Sequence, residues 1–213
     1  ACPPWIVAYP AGDRLGAKIT EAEIERRAHE QGPLRLVFVG NLIPRKNLHV
    51  LLKALYRLPA GAWELAVAGS AESDSAYARA VQAQASRLGL SQAVHFLGLL
   101  DESTLASLLH RSQLLVVPSS YEGFGIVYLE GMSFGLPAVA TTAGAAGEIV
   151  HHGENGFLVP PDDSQTLADC LSSLVADRSR LAAMGVAALH RFQKHPTWDE
   201  TAAAIRLFLN GLL

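Results

Sequence analysis

The chain has 213 residues, 50% of them hydrophobic, which is enough for one large α/β domain with a substantial core. Its 17 Lys and Arg residues and 20 Asp and Glu residues give a net charge of -3, which argues against general nucleic-acid binding because that function needs a basic surface. No apolar run approaches the roughly 20 residues of a membrane helix, and residues 5–8 are too short for the apolar core of a signal peptide.

The cysteines and the paired histidines predict neither a disulfide framework nor a metal site. Cys2 and Cys170 lie far apart without ligand spacing, so we predict two reduced thiols in a cytoplasmic protein. His151 and His152 are adjacent, and adjacent residues of a helix point in different directions. We therefore expect no bound metal.

The first 19 residues differ from the rest of the chain. Pro3, Pro4 and Pro10 flank a short apolar run at residues 5–9. We interpret residues 1–19 as a junction, either a linker or the last strand of a preceding unit, and residues 20–213 as one domain. Because the first residue is Ala1 rather than Met, we expect the chain to be a piece of a longer protein.

From residue 20 onwards, helical and strand patterns alternate. Thr20 and Glu23 form a capping box that opens a helix to about residue 31, and Thr197 and Glu200 form another. Apolar runs predict six strands, the last of them at an edge, at residues 34–39, 63–68, 93–97, 114–117, 138–141 and 156–159. Helical spacing predicts further helices at residues 48–58 (capped by Asn47), 73–88, 101–110, 124–134, 147–151, 163–175, 181–193 and 198–212.

Continuously apolar strands that alternate with helices indicate a parallel sheet covered on both faces. The predicted fold is therefore a doubly wound, Rossmann-like α/β domain with about six strands. Ligands of such sheets bind beyond the carboxyl ends of the strands. Small or turn-forming residues follow these ends and favour a nucleotide-type site: Gly40, Gly69, Gly98, Ser119, Ser120, Gly144 and Gly147.

The most informative stretch is residues 118–135, PSSYEGFGIVYLEGMSFG. A buried strand enters a glycine-containing loop, which opens a helix. The start of a helix offers unpaired N–H groups and a partial positive charge, so it suits an anion. Glu122 lies in the loop and Glu130 on the helix face of Ile126, where a buried carboxylate needs a partner.

The loop after the first strand places two cations before a helix. Arg45 and Lys46 are unfavourable for the helix dipole there, unless an anionic ligand is shared between them and the helix end. A solvated basic turn is the alternative interpretation. No Walker A motif occurs, and Gly123 and Gly125 fill only part of a dinucleotide fingerprint.

Lys46, Glu122 and Glu130 together indicate a ligand with two chemical parts. Cations and helix ends suit a diphosphate, and a carboxylate accepts hydrogen bonds from vicinal hydroxyls. A nucleotide sugar has both parts. Two glutamates at this spacing also occur by chance, so their weight comes from the strand–loop–helix context.

With these residues in view, the chain resembles the C-terminal, nucleotide-sugar-binding domain of GT-B glycosyltransferases of family 4. An ordered series of segments carries the resemblance: residues 36–40 with Arg45, Lys46 and Asn47; 94–98; 118–125 through 130–132; 135–140; 148–150; and 155–159. The resemblance implies a retaining hexosyltransferase of carbohydrate biosynthesis that uses a UDP- or GDP-type sugar. It implies neither a cofactor nor a metal.

The resemblance also implies a role for each residue that aligns with the family motifs. Lys46 contacts the donor diphosphate, Glu122 lies beside the transferred sugar as the catalytic residue, and Glu130 binds the ribose. The remaining donor-binding positions are Gly40, Asn41, Arg45, Phe124, Gly125, Ile126 and Val127. Asn41 stands where the family commonly has Arg. The contact that this Arg makes with the donor diphosphate is therefore expected here only if Arg45 takes its place.

The family has two similar domains with the active site between them, and only one is expected here. The resemblance therefore implies that the N-terminal domain and the acceptor site are missing. A face of the helix at residues 198–212 should be exposed, and the chain should bind donor weakly and transfer nothing. The acceptor, a sugar or a lipid, is open, as is peripheral membrane association through the absent domain.

Two other interpretations stay open. One is an epimerase or phosphorylase of the same two-domain architecture, although the phosphorylase cofactor-lysine pattern is not visible. The other is a non-catalytic ligand-binding or regulatory domain with the same sheet. That domain would have no nucleotide affinity and would be indifferent to Glu122→Ala and Glu130→Ala.

Overall fold

The computed structural model describes residues 5–212, and its frame is one parallel sheet of six strands. The strands are β1 (Leu34–Val39), β2 (Trp63–Ala68), β3 (Val94–Gly98), β4 (Leu114–Val116), β5 (Ala138–Thr141) and β6 (Gly156–Val159). Their spatial order is β3-β2-β1-β4-β5-β6, with every pairing parallel. This confirms the predicted doubly wound sheet and the edge position of β6. The strand order reverses between β1 and β4.

Eight α-helices and two short 3₁₀ turns are present in the described residues. The helices are α1 (Glu21–Ala28), α2 (Leu48–Leu55), α3 (Ser75–Arg87), α4 (Glu102–Arg111), α5 (Ile126–Ser133), α6 (Ser164–Ala176), α7 (Arg178–Gln193) and α8 (Trp198–Asn210). The 3₁₀ turns are Pro44–Lys46 and Ala145–Glu148. Both predicted capping boxes are confirmed, with Thr20 opening α1 and Thr197 opening α8.

Several predicted helix ends were wrong, for identifiable reasons. Helix α2 begins at Leu48 after Asn47, as predicted, but it ends at Leu55 and not at Leu58. Asn47 makes no capping hydrogen bond with its side chain: its backbone is left-handed at φ 54°, and its amide donates to Asp162 Oδ1 at 2.9 Å. A 3₁₀ turn runs directly into α2 here, so the side chain is free to bind elsewhere. The helix predicted at residues 147–151 is instead the 3₁₀ turn that ends at Glu148. Helix α7 starts three residues early because Asp177 accepts a hydrogen bond from the Arg180 N–H.

The core lies on both faces of the sheet, as the apolar strands predicted. Residues of β1, β4 and β5, such as Val37, Leu115 and Val139, are fully buried. One buried charge, Arg27 of α1, ties helix ends together by donating to the carbonyl oxygens of His110, Phe134 and Gly135. Burial lowers the pKa of Arg27 to about 10, while the partial negative charge at the ends of α4 and α5 compensates its cation. This contact fixes the far end of α5.

The predicted junction forms no helix or strand within residues 5–19, and its later part packs on the domain. Ala11 is buried, and a Cβ on Gly12 would lie 2.5 Å from the Leu129 Cβ of α5. The carbonyl oxygens of Tyr9 and Pro10 bond to Thr201 and His195. The domain boundary at residue 19 stays a prediction.

Further sequence predictions concern thiols and exposed surfaces. Cys170 is a free, half-buried thiol, whereas Cys2 lies outside the described residues. Helix α8 exposes Ile205, Leu207 and Leu209, so the expected exposed face is present. Among residues 5–212, no helix combines the length and apolar character needed to cross a membrane.

Candidate functional site

The loops after β1 and β4 meet where the strand order reverses. The Ser120 N–H donates to the Arg45 carbonyl oxygen at 2.8 Å, which joins the two loop backbones. Lys46 Nζ lies 2.6 Å from Glu122 Oε2, which joins their side chains. In parallel sheets this position forms a crevice beyond the strand ends.

Glu122 is surrounded by cations and a hydroxyl. Besides Lys46, Arg45 lies 3.7 Å from Glu122 Oε2, and the Ser119 hydroxyl donates to the same oxygen at 3.1 Å. The side chains of Lys46 and Glu122 are each 12% exposed, so their attraction is weakly screened by water. Two cations against one carboxylate leave a single positive charge, which suits an anionic ligand.

The backbone of Glu122 is also fixed, by the loop after β5. Its carbonyl oxygen accepts from the Ala145 N–H at 2.8 Å, and its N–H donates to Ala143 at 3.4 Å. Gly144 lies so close that an added Cβ would be 2.1 Å from the Glu122 carbonyl oxygen. Only glycine fits there, which makes Gly144 a structural requirement for the position of Glu122.

The N-terminus of α5 opens onto the same crevice. Gly125 adopts the left-handed conformation at φ 98°, so the helix starts at Ile126 and not at Phe124 as predicted. The N–H groups of Ile126 and Val127 bond to no acceptor among residues 5–212. Such a helix end carries free donors and a partial positive charge, and it can hold an anion.

Two neighbours anchor this helix start. The Tyr128 hydroxyl donates to the Val117 carbonyl oxygen at 2.8 Å, and burial raises the pKa of Tyr128 above its ordinary range. The Phe124 ring packs against the rings of Tyr9 and His195, with both centroid distances at 5.9 Å. The glycine-containing loop is therefore held on one side by the Tyr128 contact with Val117, just after β4, and on the other side by the rings of Tyr9 and His195.

Gly40 and Asn41 line a cavity of about 200 Å³ beyond the ends of β1, β2 and β3, together with Arg14, Gly69, Leu99 and Leu100. Gly40 also lies against the Lys46 side chain, because a Cβ added to Gly40 would be 3.4 Å from Lys46 Cε. Asn41 is exposed, and its side chain makes no hydrogen bond among the described residues. The cavity thus adjoins the crevice through the β1 loop.

Glu130 has the partner that its burial required, and that partner is Arg14. The Glu130 side chain is 7% exposed, and Arg14 Nε lies 2.5 Å from its Oε1. Glu130 forms no salt bridge with Lys46 or Arg45, so the structure brings together Lys46, Arg45 and Glu122 and keeps Glu130 in a separate ion pair.

Sequence reasoning missed several contacts that build the site. Arg14 and Ser119 bind the two glutamates, and the Thr141 hydroxyl donates to the Ser119 carbonyl oxygen at 2.6 Å. Gly144 was named among the residues that follow the strand ends, but its contact with Glu122 was not predicted. Arg14 could not be found from the sequence, because its partner lies 116 residues away.

The described residues hold no group of three or more His, Cys, Asp or Glu side chains that could bind a metal. His151 lies near Glu154, with Nδ1 3.5 Å from Oε2, and His152 Nδ1 contacts the Leu158 backbone. The absence of metal from the function stays a prediction.

Comparison with known proteins identifies the family. The model of the family described as glycosyl transferases group 1 matches residues 19–191. The chain belongs to the group 1 glycosyltransferases. This agrees with the resemblance to GT-B enzymes of family 4.

Relatives of this group 1 glycosyltransferase chain extend beyond it. A D-inositol 3-phosphate glycosyltransferase from Rhodococcus opacus (strain B4) is 34% identical over 203 residues, which cover 92% of this chain and 44% of the relative. A glycogen synthase from Mycobacterium tuberculosis (strain ATCC 25618 / H37Rv) is 33% identical over 180 residues, covering 84% of this chain and 42% of the relative. The chain thus spans less than half the length of these curated relatives. Their names differ, so the likeness does not identify an acceptor.

A solved structure shares the fold along nearly the whole chain. The structure of Anabaena Alr3699/HepE in complex with UDP and glucose has a TM-score of 0.84 and 27% identity, and the match covers 97% of this chain and 57% of that one. The architecture of this group 1 glycosyltransferase chain is therefore that of the C-terminal domain of a GT-B glycosyltransferase.

Proposed function

We propose that the chain is the donor-binding half of a retaining glycosyltransferase that transfers a hexose from a nucleoside diphosphate sugar to an acceptor. The observation that carries the proposal is the Lys46–Glu122 pair beside the open N-terminus of α5. A cation and helix N–H groups suit the diphosphate, and the adjacent carboxylate suits the hydroxyls of the sugar. The complex of Alr3699/HepE with UDP and glucose supports a donor of this class.

Each candidate residue has a distinct role in the proposal. Lys46 and Arg45, with the N–H groups of Ile126 and Val127, hold the diphosphate. Glu122 binds the transferred sugar and lies closest to the reacting carbon. Three further groups contact the donor: Glu130 binds the ribose, Gly40 and Asn41 line the nucleotide cavity, and the backbone around Phe124 and Gly125 holds the sugar.

The proposed reaction exchanges one bond at the anomeric carbon of the sugar. The bond to the diphosphate oxygen breaks, and that oxygen keeps the electron pair. The acceptor hydroxyl forms the new bond on the same face of the sugar and passes its proton to the leaving oxygen. Glu122 stabilises the positive charge that develops on the sugar, while Lys46 and the helix end stabilise the leaving group. We propose that this fixed positive charge replaces a metal.

We assign the acceptor side to a part of the protein outside this chain, since the chain spans less than half of its curated relatives. The isolated chain is then expected to bind donor weakly and to transfer no sugar. Any peripheral contact of the whole protein with a membrane would also come through the other part.

The deciding experiment titrates UDP, GDP, ADP and their sugar conjugates against the chain by ligand-observed NMR and thermal shift. A ligand at 100 times its dissociation constant stabilises the native state by about 2.7 kcal/mol, which is readily measured. We expect a response to at least one nucleoside diphosphate and its loss in Lys46→Gln. The Arg79→Gln variant removes the same charge from an exposed side chain of α3 that does not line the cavity beside the crevice, and it serves as the matched control. No response to any nucleoside diphosphate at millimolar concentration, in the chain and in the full-length protein, would reject the proposal.

A further inference from the structure

Arg14 connects two carboxylates at the wall of the nucleotide cavity. Its Nε binds Glu130 Oε1, and its NH1 group lies 2.9 Å from Glu102 Oε1. The two partners differ in exposure, because the Glu102 side chain is 68% exposed and that of Glu130 is 7% exposed. Exposed ion pairs contribute little, so the contact with Glu130 is the important one.

The position of Arg14 is set by the backbone two residues before it. Gly12 lies directly against α5, where a Cβ would be 2.5 Å from Leu129 Cβ and 3.0 Å from the Glu130 nitrogen. Ala11 is buried beside it. This close approach brings the following residues to the carboxylate of Glu130, so the Arg14–Glu130 contact is built into the fold of the segment.

Arg14 occupies only one of the two oxygens of Glu130. Glu130 Oε2 makes no hydrogen bond among residues 5–212. It is not fully enclosed either, because the fully buried side-chain atoms without a partner in these residues are Asp13 Oδ1 and Trp63 Nε1. The carboxylate therefore has one oxygen fixed on a cation and one available to a hydroxyl group. Arg14 itself lines the cavity that contains Gly40 and Asn41.

We propose that Arg14 is a specificity-determining, positioning residue: by holding Glu130 through Oε1, it directs Oε2 to a ribose hydroxyl, so that the site selects ribonucleotides over 2′-deoxyribonucleotides. The proposal rests on the proposed function, in which Glu130 binds the ribose. Arg14 acts through Glu130 and needs no direct contact with the donor.

The opposite role would be a gate, in which Arg14 competes with the ribose for Glu130. The geometry favours positioning, because the ion pair leaves Oε2 available and each carboxylate oxygen can accept more than one hydrogen bond.

The test measures affinities for UDP, GDP and ADP and for the 2′-deoxy counterpart of each, by calorimetry or ligand NMR. The proteins are the chain itself, Arg14→Gln, Arg14→Lys, Glu130→Gln and the double variant Arg14→Gln/Glu130→Gln, with Arg79→Gln as control. Circular dichroism and thermal melts first establish that each variant is folded. The double variant separates an effect through Glu130 from an independent one.

We expect the chain to prefer the ribonucleotide roughly 10- to 100-fold, the range of a hydrogen bond to a charged group. Arg14→Gln should reduce this preference to about threefold or less, and Arg14→Lys should restore part of it because the cation returns. The double variant should keep at least the preference for the ribonucleotide that Glu130→Gln alone shows, because Arg14 acts through Glu130. Arg79→Gln should behave like the unmodified chain.

Three results would overturn the proposal. Unchanged discrimination in Arg14→Gln would show that Glu130 needs no positioning, and tighter binding in that variant would make Arg14 a gate. Equal affinity of the unmodified chain for both sugars would remove the selectivity itself. These results leave the proposed function standing, whereas the absence of any nucleotide binding would reject both.

Discussion

Lys46 Nζ and Glu122 Oε2 lie 2.6 Å apart, although 76 residues separate them in the sequence. The pair joins the loops after β1 and β4 at the position where the strand order reverses. The pair connects the two loops, and it holds a cation beside a carboxylate, the combination that the proposed nucleotide-sugar donor requires.

The first prediction concerns the stability of this pair. Lys46→Met should destabilise the chain by about 1–3 kcal/mol, because it leaves a largely buried carboxylate with the half-exposed Arg45 as its remaining cation. The double variant Lys46→Met/Glu122→Gln should be more stable than the sum of the single changes by about 1–2 kcal/mol. Urea unfolding of the four proteins measures this coupling. Strict additivity would mean that the two side chains do not interact in solution.

The second prediction separates the sugar from the diphosphate. Glu122→Gln keeps the shape of the side chain but removes its charge, so both neighbouring cations become free for the diphosphate. We expect binding of the nucleoside diphosphate to be retained or tightened, whereas the extra affinity of its sugar conjugate falls about 10- to 100-fold. In the full-length protein, sugar transfer should fall by about 100- to 1,000-fold. Equal weakening of both ligands would show that Glu122 only shapes the loop, and Glu25→Gln, an exposed change on α1, is the control.

The sequence predicted the sheet well because its strands are apolar on both faces and alternate with helices. β1, β2, β5 and β6 have the predicted ends, and the glycines after β1 and β4 marked the loops that form the crevice. Apolar runs and glycines after strands are patterns of consecutive residues. They predict the type of each element and, because the sheet is parallel, the edge of the sheet at which the loops lie.

The partners of Glu122 and Glu130 could not be predicted from such local patterns. Burial predicted that Glu130 needs a partner, but only the approach of Gly12 to α5 selects Arg14. Asn47 is of a residue type that commonly caps helices. Its amide binds Asp162 instead, because a 3₁₀ turn precedes α2 and takes the place of the expected side-chain cap. Contacts between distant side chains depend on backbone positions that no short pattern contains.

The third prediction uses two glycines with nearly the same φ angle. Gly144 at φ 79° and Gly153 at φ 81° both adopt a conformation that alanine tolerates poorly, but only a Cβ on Gly144 would meet another atom, 2.1 Å from the Glu122 carbonyl oxygen. Gly153→Ala should cost about 1 kcal/mol of stability through its backbone alone. Gly144→Ala should cost about 2–3 kcal/mol more, because the loop that carries Glu122 must shift.

Ligand binding distinguishes these two variants more sharply than stability does. Gly144→Ala should lose the preference for the sugar conjugate because Glu122 moves, whereas Gly153→Ala should bind like the unmodified chain. Nucleotide titrations monitored by NMR, together with urea unfolding, measure both effects. Equal behaviour of the two variants would show that the contact between Gly144 and Glu122 does not position the site.

The fourth prediction is a pH dependence that arises at His49, in the first turn of α2. The Tyr77 oxygen accepts from the His49 backbone N–H at 3.3 Å and lies 3.0 Å from Nδ1, so its own proton can be donated to a neutral imidazole. Burial, and then the charge of Lys53, lower the pKa of His49 below its ordinary value of 6.5, and Asp162 opposes the shift only in part. The unfolded chain therefore binds more protons just below pH 6.5.

The stability that His49 contributes should accordingly be complete above pH 6.5 and decline as the pH falls through the lowered folded-state pKa. In His49→Gln the side-chain amide can still meet Tyr77, but it does not titrate. Urea midpoints measured from neutral to mildly acidic pH should fall more steeply for the unmodified chain than for His49→Gln, because all other histidines are common to both. Parallel pH profiles would mean that His49 is as easily protonated in the folded chain as in the unfolded one.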